Sequence, residues 1–157
     1  MRIVPTGYPL FHGLRALVAS ALVSGMACSA SDMLTPPSPS TVNLTGAWAG
    51  SASDSSGPGQ MSWQLTQSDT SFSGTMTMTD VSTGVTGQGS VSGTVSGVSL
   101  HFSISVRAGG FASPYASCTA DASGDGQVSS ATIVGTYSGS NSCSGAIASG
   151  QLTLSKQ

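Results

Sequence analysis

Apolar and polar residues alternate strictly between positions 98 and 106. The apolar members are Val98, Leu100, Phe102, Ile104 and Val106, and the polar members are Ser99, His101, Ser103 and Ser105. A period of two is typical of an antiparallel strand with one buried face, because successive side chains of a strand point to opposite sides. The pattern predicts that Leu100, Phe102 and Ile104 are buried and that the polar members are more exposed.

Shorter alternating runs cover most of the chain after residue 43. They predict eight strands, at 44–50, 61–66 and 72–79, within 85–95, and at 98–106, 116–122, 128–137 and 146–154. Residues 51–59 are predicted as a loop, because Gly57, Pro58 and Gly59 tend to interrupt strands. Gly124, Asp125 and Gly126 predict a hairpin turn. A longer loop is predicted at 108–115.

Eight short strands in succession predict an all-β domain over residues 43–157, in the form of an up-and-down antiparallel β-barrel. An open sheet has two edges with unpaired backbone groups, which proteins often protect with charged side chains. The chain has a single lysine, Lys156. Closure into a barrel is therefore the expected solution, because it removes the edges. A β-sandwich is the alternative fold.

The first 27 residues have the pattern of an export signal. Arg2 and Arg15 precede an apolar run at 16–27, and 12 residues are too few to span a bilayer core. The run ends in Gly25, Met26 and Ala27 and is followed by Cys28. We therefore treat residues 1–27 as a signal peptide, separate from the fold.

The residues around Cys28 indicate how the exported chain is retained. A small residue before Cys resembles the signal of bacterial lipoproteins, although Gly25 stands where that family usually has an aliphatic residue. The resemblance implies a lipid on Cys28 and a protein anchored in the bacterial cell envelope. Residues 28–42 hold three prolines among small polar residues and predict a semi-stiff tether. Cleavage after Ala27 or Ala30 without a lipid is the alternative, and gives a secreted or periplasmic protein.

The charge balance excludes one class of partner. After residue 27 the only basic residues are Arg107 and Lys156, against six aspartates and no glutamate. Binding to nucleic acid needs a basic patch, so no nucleic acid partner is expected. The remaining polar positions are mostly Ser, Thr and Gly. We expect a monomer whose contact with a membrane is through a lipid anchor only.

The start of the domain resembles a known barrel family. Positions 43–48 read NLTGAW and are similar to the first strand of lipocalins and avidins, while positions 135–139 read GTYSG and are similar to inner strands of avidins. The resemblance implies a calycin-like barrel that can hold one small ligand. The inward aromatic residues Trp48, Trp63, Phe102 and Tyr137 are the candidate ligand-binding residues. The alternative is that these side chains fill a solid core.

The three cysteines divide by position. Cys28 follows the signal, whereas Cys118 and Cys143 lie in the domain. An exported protein meets an oxidising environment, so the remaining even pair predicts a Cys118–Cys143 disulfide. A zinc site is the rival use, but it needs four ligands and His101 is the only other candidate.

No residue cluster in the sequence predicts catalysis. His101 falls on the outward face of its strand, and a catalytic triad needs a convergent Asp from elsewhere. Residues 121–126 resemble the start of a Ca²⁺ loop, but Thr132 stands where that loop needs a bidentate Glu. We therefore expect no enzyme activity, cofactor or metal.

Phe111 and Tyr115 lie in the predicted loop 108–115, where aromatic residues often serve recognition. The favoured hypothesis is a lipid-anchored, non-catalytic barrel that binds a small apolar ligand or a protein partner. The alternative is a structural or interaction module with a filled core, for example an inhibitor-like protein, that acts through this loop.

Overall fold

The computed structural model describes residues 42–157, in which no helix occurs and eight strands account for most of the chain. The strands are β1 (Gly46–Asp54), β2 (Gly57–Ser68), β3 (Ser71–Asp80), β4 (Thr86–Ser96), β5 (Ser99–Val106), β6 (Ala120–Ser129), β7 (Thr132–Asn141) and β8 (Gly145–Lys156). The predicted signal peptide 1–27, Cys28 and all but the last residue of the predicted tether lie outside the described residues.

The eight strands form a closed up-and-down antiparallel β-barrel, as predicted. Each strand pairs with its neighbour in the chain, and β1 pairs with β8 from Trp48 opposite Lys156 to Ser53 opposite Gln151. This last pairing closes the sheet. Closure satisfies the backbone groups that an open sheet would expose at its edges.

The alternation in β5 has the predicted register. Leu100, Phe102 and Ile104 are buried, His101 and Ser103 are exposed, and Ser105 is half-buried. The other strands follow the same rule, except where the alternation of β8 is interrupted near Ser149, and their inward residues form one hydrophobic core. The period of two is thus enough to orient most side chains of the barrel.

The predicted loop at 51–59 is wrong, because β1 continues to Asp54 and β2 begins at Gly57. Pro58 is tolerated inside β2 for a positional reason. The neighbouring strand β3 ends at Asp80, opposite Gly59, so no ladder on that side requires the missing N–H of Pro58. Its carbonyl still accepts a hydrogen bond from the N–H of Val81 at 3.0 Å.

The predicted hairpin at Gly124, Asp125 and Gly126 is also wrong. These residues lie within β6, and the chain turns between Ser129 and Thr132 instead. The glycines serve packing here, because a Cβ atom on Gly124 would lie 2.6 Å from Cζ of Phe102. The predicted strand at 116–122 is correspondingly misplaced, and most of it belongs to the loop before β6.

One end of the barrel is closed by the segment that leads into β1. Leu44 is fully buried, and its N–H donates to Oε1 of Gln67 at 2.7 Å. Trp48 lies below it and donates from Nε1 to the carbonyl of Leu44 at 2.7 Å. Lys156 lies over the Trp48 ring, 5.4 Å from its centroid.

Candidate functional site

A pocket of about 270 Å³ lies at the opposite end of the barrel. This end carries the β1–β2, β3–β4, β5–β6 and β7–β8 connections, and we call it the mouth. The pocket walls are largely apolar, and their main side chains are Ala52, Met61, Met78, Phe111, Ala120 and Ile147. A concave, largely apolar cavity with a few polar groups is the usual form of a small-molecule site.

Of the four predicted ligand-binding residues, only Tyr137 lines this pocket. Trp63 and Phe102 pack edge to face in the core, with ring centroids 5.2 Å apart and an interplanar angle of 62°. Trp48 pairs directly opposite Trp63 and is equally buried. These three rings fill the barrel interior, so the structure does not bring the four residues together around one cavity.

Tyr137 reaches from β7 to a carboxylate on β1. Its hydroxyl donates to Oδ2 of Asp54 at 2.9 Å, across 83 residues of sequence. Burial first, and then the charge of Asp54 and this hydrogen bond, raise the pKa of Tyr137 well above its ordinary value. The phenol therefore remains a hydrogen-bond donor at neutral pH.

Two features of β8 make room for the Tyr137 ring and for the pocket. A Cβ atom on Gly150 would lie 2.6 Å from Cδ2 of Tyr137, so glycine is needed there. The β7–β8 register shifts between Tyr137 and Gly139, and Ser149 has a φ of 56°. Because the bulge adds one residue to β8, the positions that point inward differ on its two sides, and Ile147 points towards the pocket.

The loop 107–119 forms one wall of the mouth. β4 extends past the end of β5, and the loop continues the pairing there. Ala112 donates its N–H to the carbonyl of Thr86 at 2.9 Å, and Gln88 donates to the carbonyl of Gly110 at 2.8 Å. Phe111 is 9% exposed and packs over Gly87, whereas Tyr115 is 45% exposed at the rim.

The predicted disulfide between Cys118 and Cys143 is present, with a Cα–Cα distance of 5.7 Å. It joins the loop 107–119 to the β7–β8 turn, and both cysteines line the pocket. Cys118 lies in the loop and not in a strand as predicted, so the bridge braces the mouth.

Two carboxylates also line the pocket. Asp54 and Asp80 end β1 and β3, and each accepts backbone hydrogen bonds from its own turn. Asp54 is not among the predicted site residues, because the sequence predicts a loop at 51–59 whereas β1 extends to Asp54. The alternation of residues could have identified it, since Ala52 and Asp54 lie at even-numbered positions and so share the inward face of β1 with Trp48.

His101 lies on the outer face of β5, as its parity predicts, but it has a partner that the sequence reasoning did not identify. Its Nδ1 lies 2.9 Å from Oδ1 of Asp125, the residue opposite it on β6. The side chains are 61% and 82% exposed. Pairs as exposed as this contribute little to stability.

The segment 121–126 has no loop geometry, because it lies in the extended strand β6. Asp121 and Asp125 point outward on separate rungs, and Asp121 accepts a hydrogen bond from Oγ of Ser105 at 2.7 Å. Over residues 42–157, no three His, Cys, Asp or Glu side chains come close enough together to hold a metal ion.

Comparisons of this chain with protein family models, curated proteins and solved structures gave no match in any of the three. In the same described part of the chain, no helix is long and apolar enough to cross a membrane.

Proposed function

We propose that this protein is a non-catalytic binding module of the bacterial cell envelope that holds a small apolar molecule in the mouth pocket. The observation that carries the proposal is the pocket itself. Its volume of about 270 Å³ suits a ligand of one or two rings, and Met61, Met78, Phe111 and Ile147 supply apolar and adaptable contacts.

The proposed location in the envelope is supported by two observations. The first is the resemblance of residues 1–28 to a lipoprotein signal. The second is the Cys118–Cys143 disulfide, since disulfides persist in oxidising compartments. Fractionation of cells that express Cys28→Ser tests the anchor. Loss of the protein from the membrane fraction is expected, and unchanged retention would contradict lipidation.

A calycin-like character is proposed on the arrangement of the closed end. The GAW segment of the resemblance lies at the start of β1, and Trp48 packs under the covering segment with its Nε1 bound to the carbonyl of Leu44. Within the described residues, an end covered by Leu44 thus lies opposite the end that holds the pocket, an arrangement suited to holding one ligand.

The binding proposal is tested by titrating the full chain carrying Cys28→Ser, so that no lipid competes, with 2-phenylethanol as a neutral single-ring probe. We expect saturable binding that Ile147→Trp abolishes, because a larger inward side chain fills the mouth. Ala146→Trp is the matched control, since Ala146 is exposed and pairs with Ser140 on the outer face. Equal binding by both variants would place the probe elsewhere.

A second candidate function is recognition of a protein partner through the loop 108–115. Tyr115 favours it, because a large aromatic side chain is 45% exposed on a braced loop. For this second function, Tyr115→Ala is expected to abolish chemical crosslinking of the protein to its partner in cells of the native host. Val134→Ala, an exposed apolar position on β7, is the control and is expected to leave crosslinking unchanged.

A further inference from the structure

We propose that the mouth pocket selects ligands that carry an organic ammonium group on an apolar body, and that Asp54 is the counter-ion. This inference rests on the proposed function, since it names the chemistry of the ligand held in the same pocket. Three observations support it: carboxylates line the pocket, no basic side chain of the described residues lines it, and aromatic side chains surround it.

Asp54 is a carboxylate in a position that usually holds an apolar residue. It continues the inward series of Trp48 and Ala52 on β1 and lines the pocket. Its Oδ1 accepts the N–H of Ser56 at 2.7 Å, and its Oδ2 accepts the hydroxyl of Tyr137 at 2.9 Å. An ionised carboxylate offers about four acceptor positions, so it retains capacity for a ligand donor.

Asp80 adds a second carboxylate to the pocket lining. The strand β2 lies between them, with Asp54 opposite Gly57 and Asp80 opposite Gly59. Gly57 and Gly59 have the same parity as the inward residue Met61, so β2 places no side chain between the two carboxylates. Oδ1 of Asp80 accepts the N–H groups of Ser82 and Thr83.

The basic residues of the described chain, Arg107 and Lys156, do not line this pocket. Lys156 lies at the closed end, where its Nζ donates to the carbonyl of Asn43 at 2.9 Å. Two carboxylates without a cation give the pocket a negative potential, which concentrates cations there. This charge distribution favours an ammonium ligand over a carboxylate ligand.

The aromatic side chains complete the match. Phe111, Tyr115 and Tyr137 all line the pocket. The faces of such rings attract ammonium groups, and the attraction grows when the site excludes water. The raised pKa of Tyr137 keeps its hydroxyl protonated, so it adds no negative charge. The alternative role of Asp54 is only to orient Tyr137, and that role predicts no preference for cations.

The test compares 2-phenylethylamine, 2-phenylethanol and phenylacetate at neutral pH by isothermal titration of the Cys28→Ser chain. These probes share one ring and differ in the charge of the polar group. We expect the amine to bind about tenfold more tightly than the alcohol, and phenylacetate to bind most weakly. A charge-assisted hydrogen bond is roughly twice as strong as a neutral one, and a difference of about 1.4 kcal/mol is a factor of ten in affinity.

Asp54→Asn is expected to remove most of the preference for the amine by weakening binding of the amine more than that of the alcohol, since the amide keeps the shape of the carboxylate but not its charge. Asp121→Asn, on the outer face of β6, is the matched control and is expected to change neither. The salt dependence of binding is a second test, and it needs no substitution in the pocket. Added salt is expected to weaken binding of the amine but not of the alcohol.

The outcomes separate this inference from the proposed function. Equal affinities of wild type for amine and alcohol would overturn the ammonium preference while the binding proposal stands. A preference that survives Asp54→Asn but is lost in Asp80→Asn would overturn the assignment of Asp54. Binding of none of the three probes would overturn the proposed function together with this inference.

Discussion

The hydroxyl of Tyr137 donates to Oδ2 of Asp54 at 2.9 Å and so connects β7 to β1 across the intervening strand β8. The bond lies at the mouth, at the opposite end of the barrel from the buried Leu44. It therefore adds a polar cross-link at the level of the pocket, above the apolar core.

Tyr137→Phe is expected to lower the free energy of unfolding by about 1–2 kcal/mol, because it removes this hydrogen bond and leaves Asp54 with one partner fewer. Urea unfolding at neutral pH measures the loss. Ser138→Ala, on the exposed side of the same strand, is the control and is expected to change little. A Tyr137→Phe protein as stable as wild type would show that the bond contributes nothing net.

The same residue predicts a dependence on pH. The pKa of Tyr137 is raised in the folded protein, so its contribution to stability is fully present below the ordinary tyrosine pKa of about 10 and is lost as pH rises above it. The stability difference between wild type and Tyr137→Phe is therefore expected to narrow as the pH rises from about 10 to about 12. A difference that grows over this window contradicts the direction of the shift.

Gly150→Ala tests whether the Tyr137 ring needs the space that β8 leaves for it. The added Cβ would lie 2.6 Å from both Cδ2 and the carbonyl oxygen of Tyr137. We expect a loss of about 1–3 kcal/mol of stability, as for other overpacked sites, with a change in near-UV circular dichroism of the tyrosine. Gln151→Ala, the exposed neighbour, is expected to have little effect. Similar losses in both variants would contradict this account.

The two tryptophans are expected to differ although both are buried in one core. Trp48 donates from Nε1 to the carbonyl of Leu44, whereas the buried Nε1 of Trp63 has no hydrogen-bond partner within the described residues. Trp48→Phe and Trp63→Phe remove similar volumes, so their difference reports on the indole N–H. We expect Trp48→Phe to cost about 1–2 kcal/mol more in chemical unfolding. Equal costs would contradict the prediction.

Residue alternation is sufficient for the class of fold but not for the mouth. It orients Leu100, Phe102 and Ile104 because one face of β5 is buried and the other is solvated. Glycine is ambiguous by contrast, since it serves both turns and close packing. The sequence pattern predicts Gly124 to be a turn residue, whereas in the barrel it makes room for the ring of Phe102.

The pocket was not predictable for a related reason. Ile147 faces it only because a bulge near Ser149 reverses the phase of β8, and Ser149 carries no sequence signal for a positive φ. Asp54 and Tyr137 are 83 residues apart in the sequence. They meet because β8 pairs with both β7 and β1 and so brings these two strands close together. Closure of the barrel, and not local pattern, creates this site.

The disulfide braces the mouth, so its removal is expected to act there. Closing a loop of the observed sequence separation of 25 stabilises the fold by about 3.5 kcal/mol in the chain-entropy model, less any strain. Cys118→Ser and Cys143→Ser are each expected to lower the melting temperature, and the double variant to be no worse than either. Cys28→Ser is the control and is expected to leave melting unchanged.

Hydrogen exchange locates the effect. Reduction is expected to speed exchange in the loop 107–119 more than in β2 and β3, because the loop is joined to the β7–β8 turn chiefly by the disulfide. Two hydrogen bonds remain and should keep the end of the loop partly protected. The N–H of Ser142 donates to the carbonyl of Thr119 at 2.8 Å, and the N–H of Thr119 donates to Oγ of Ser142 at 2.9 Å. Uniform loss of protection over all strands would instead mean that the bridge stabilises the whole barrel and does not specifically hold the pocket wall.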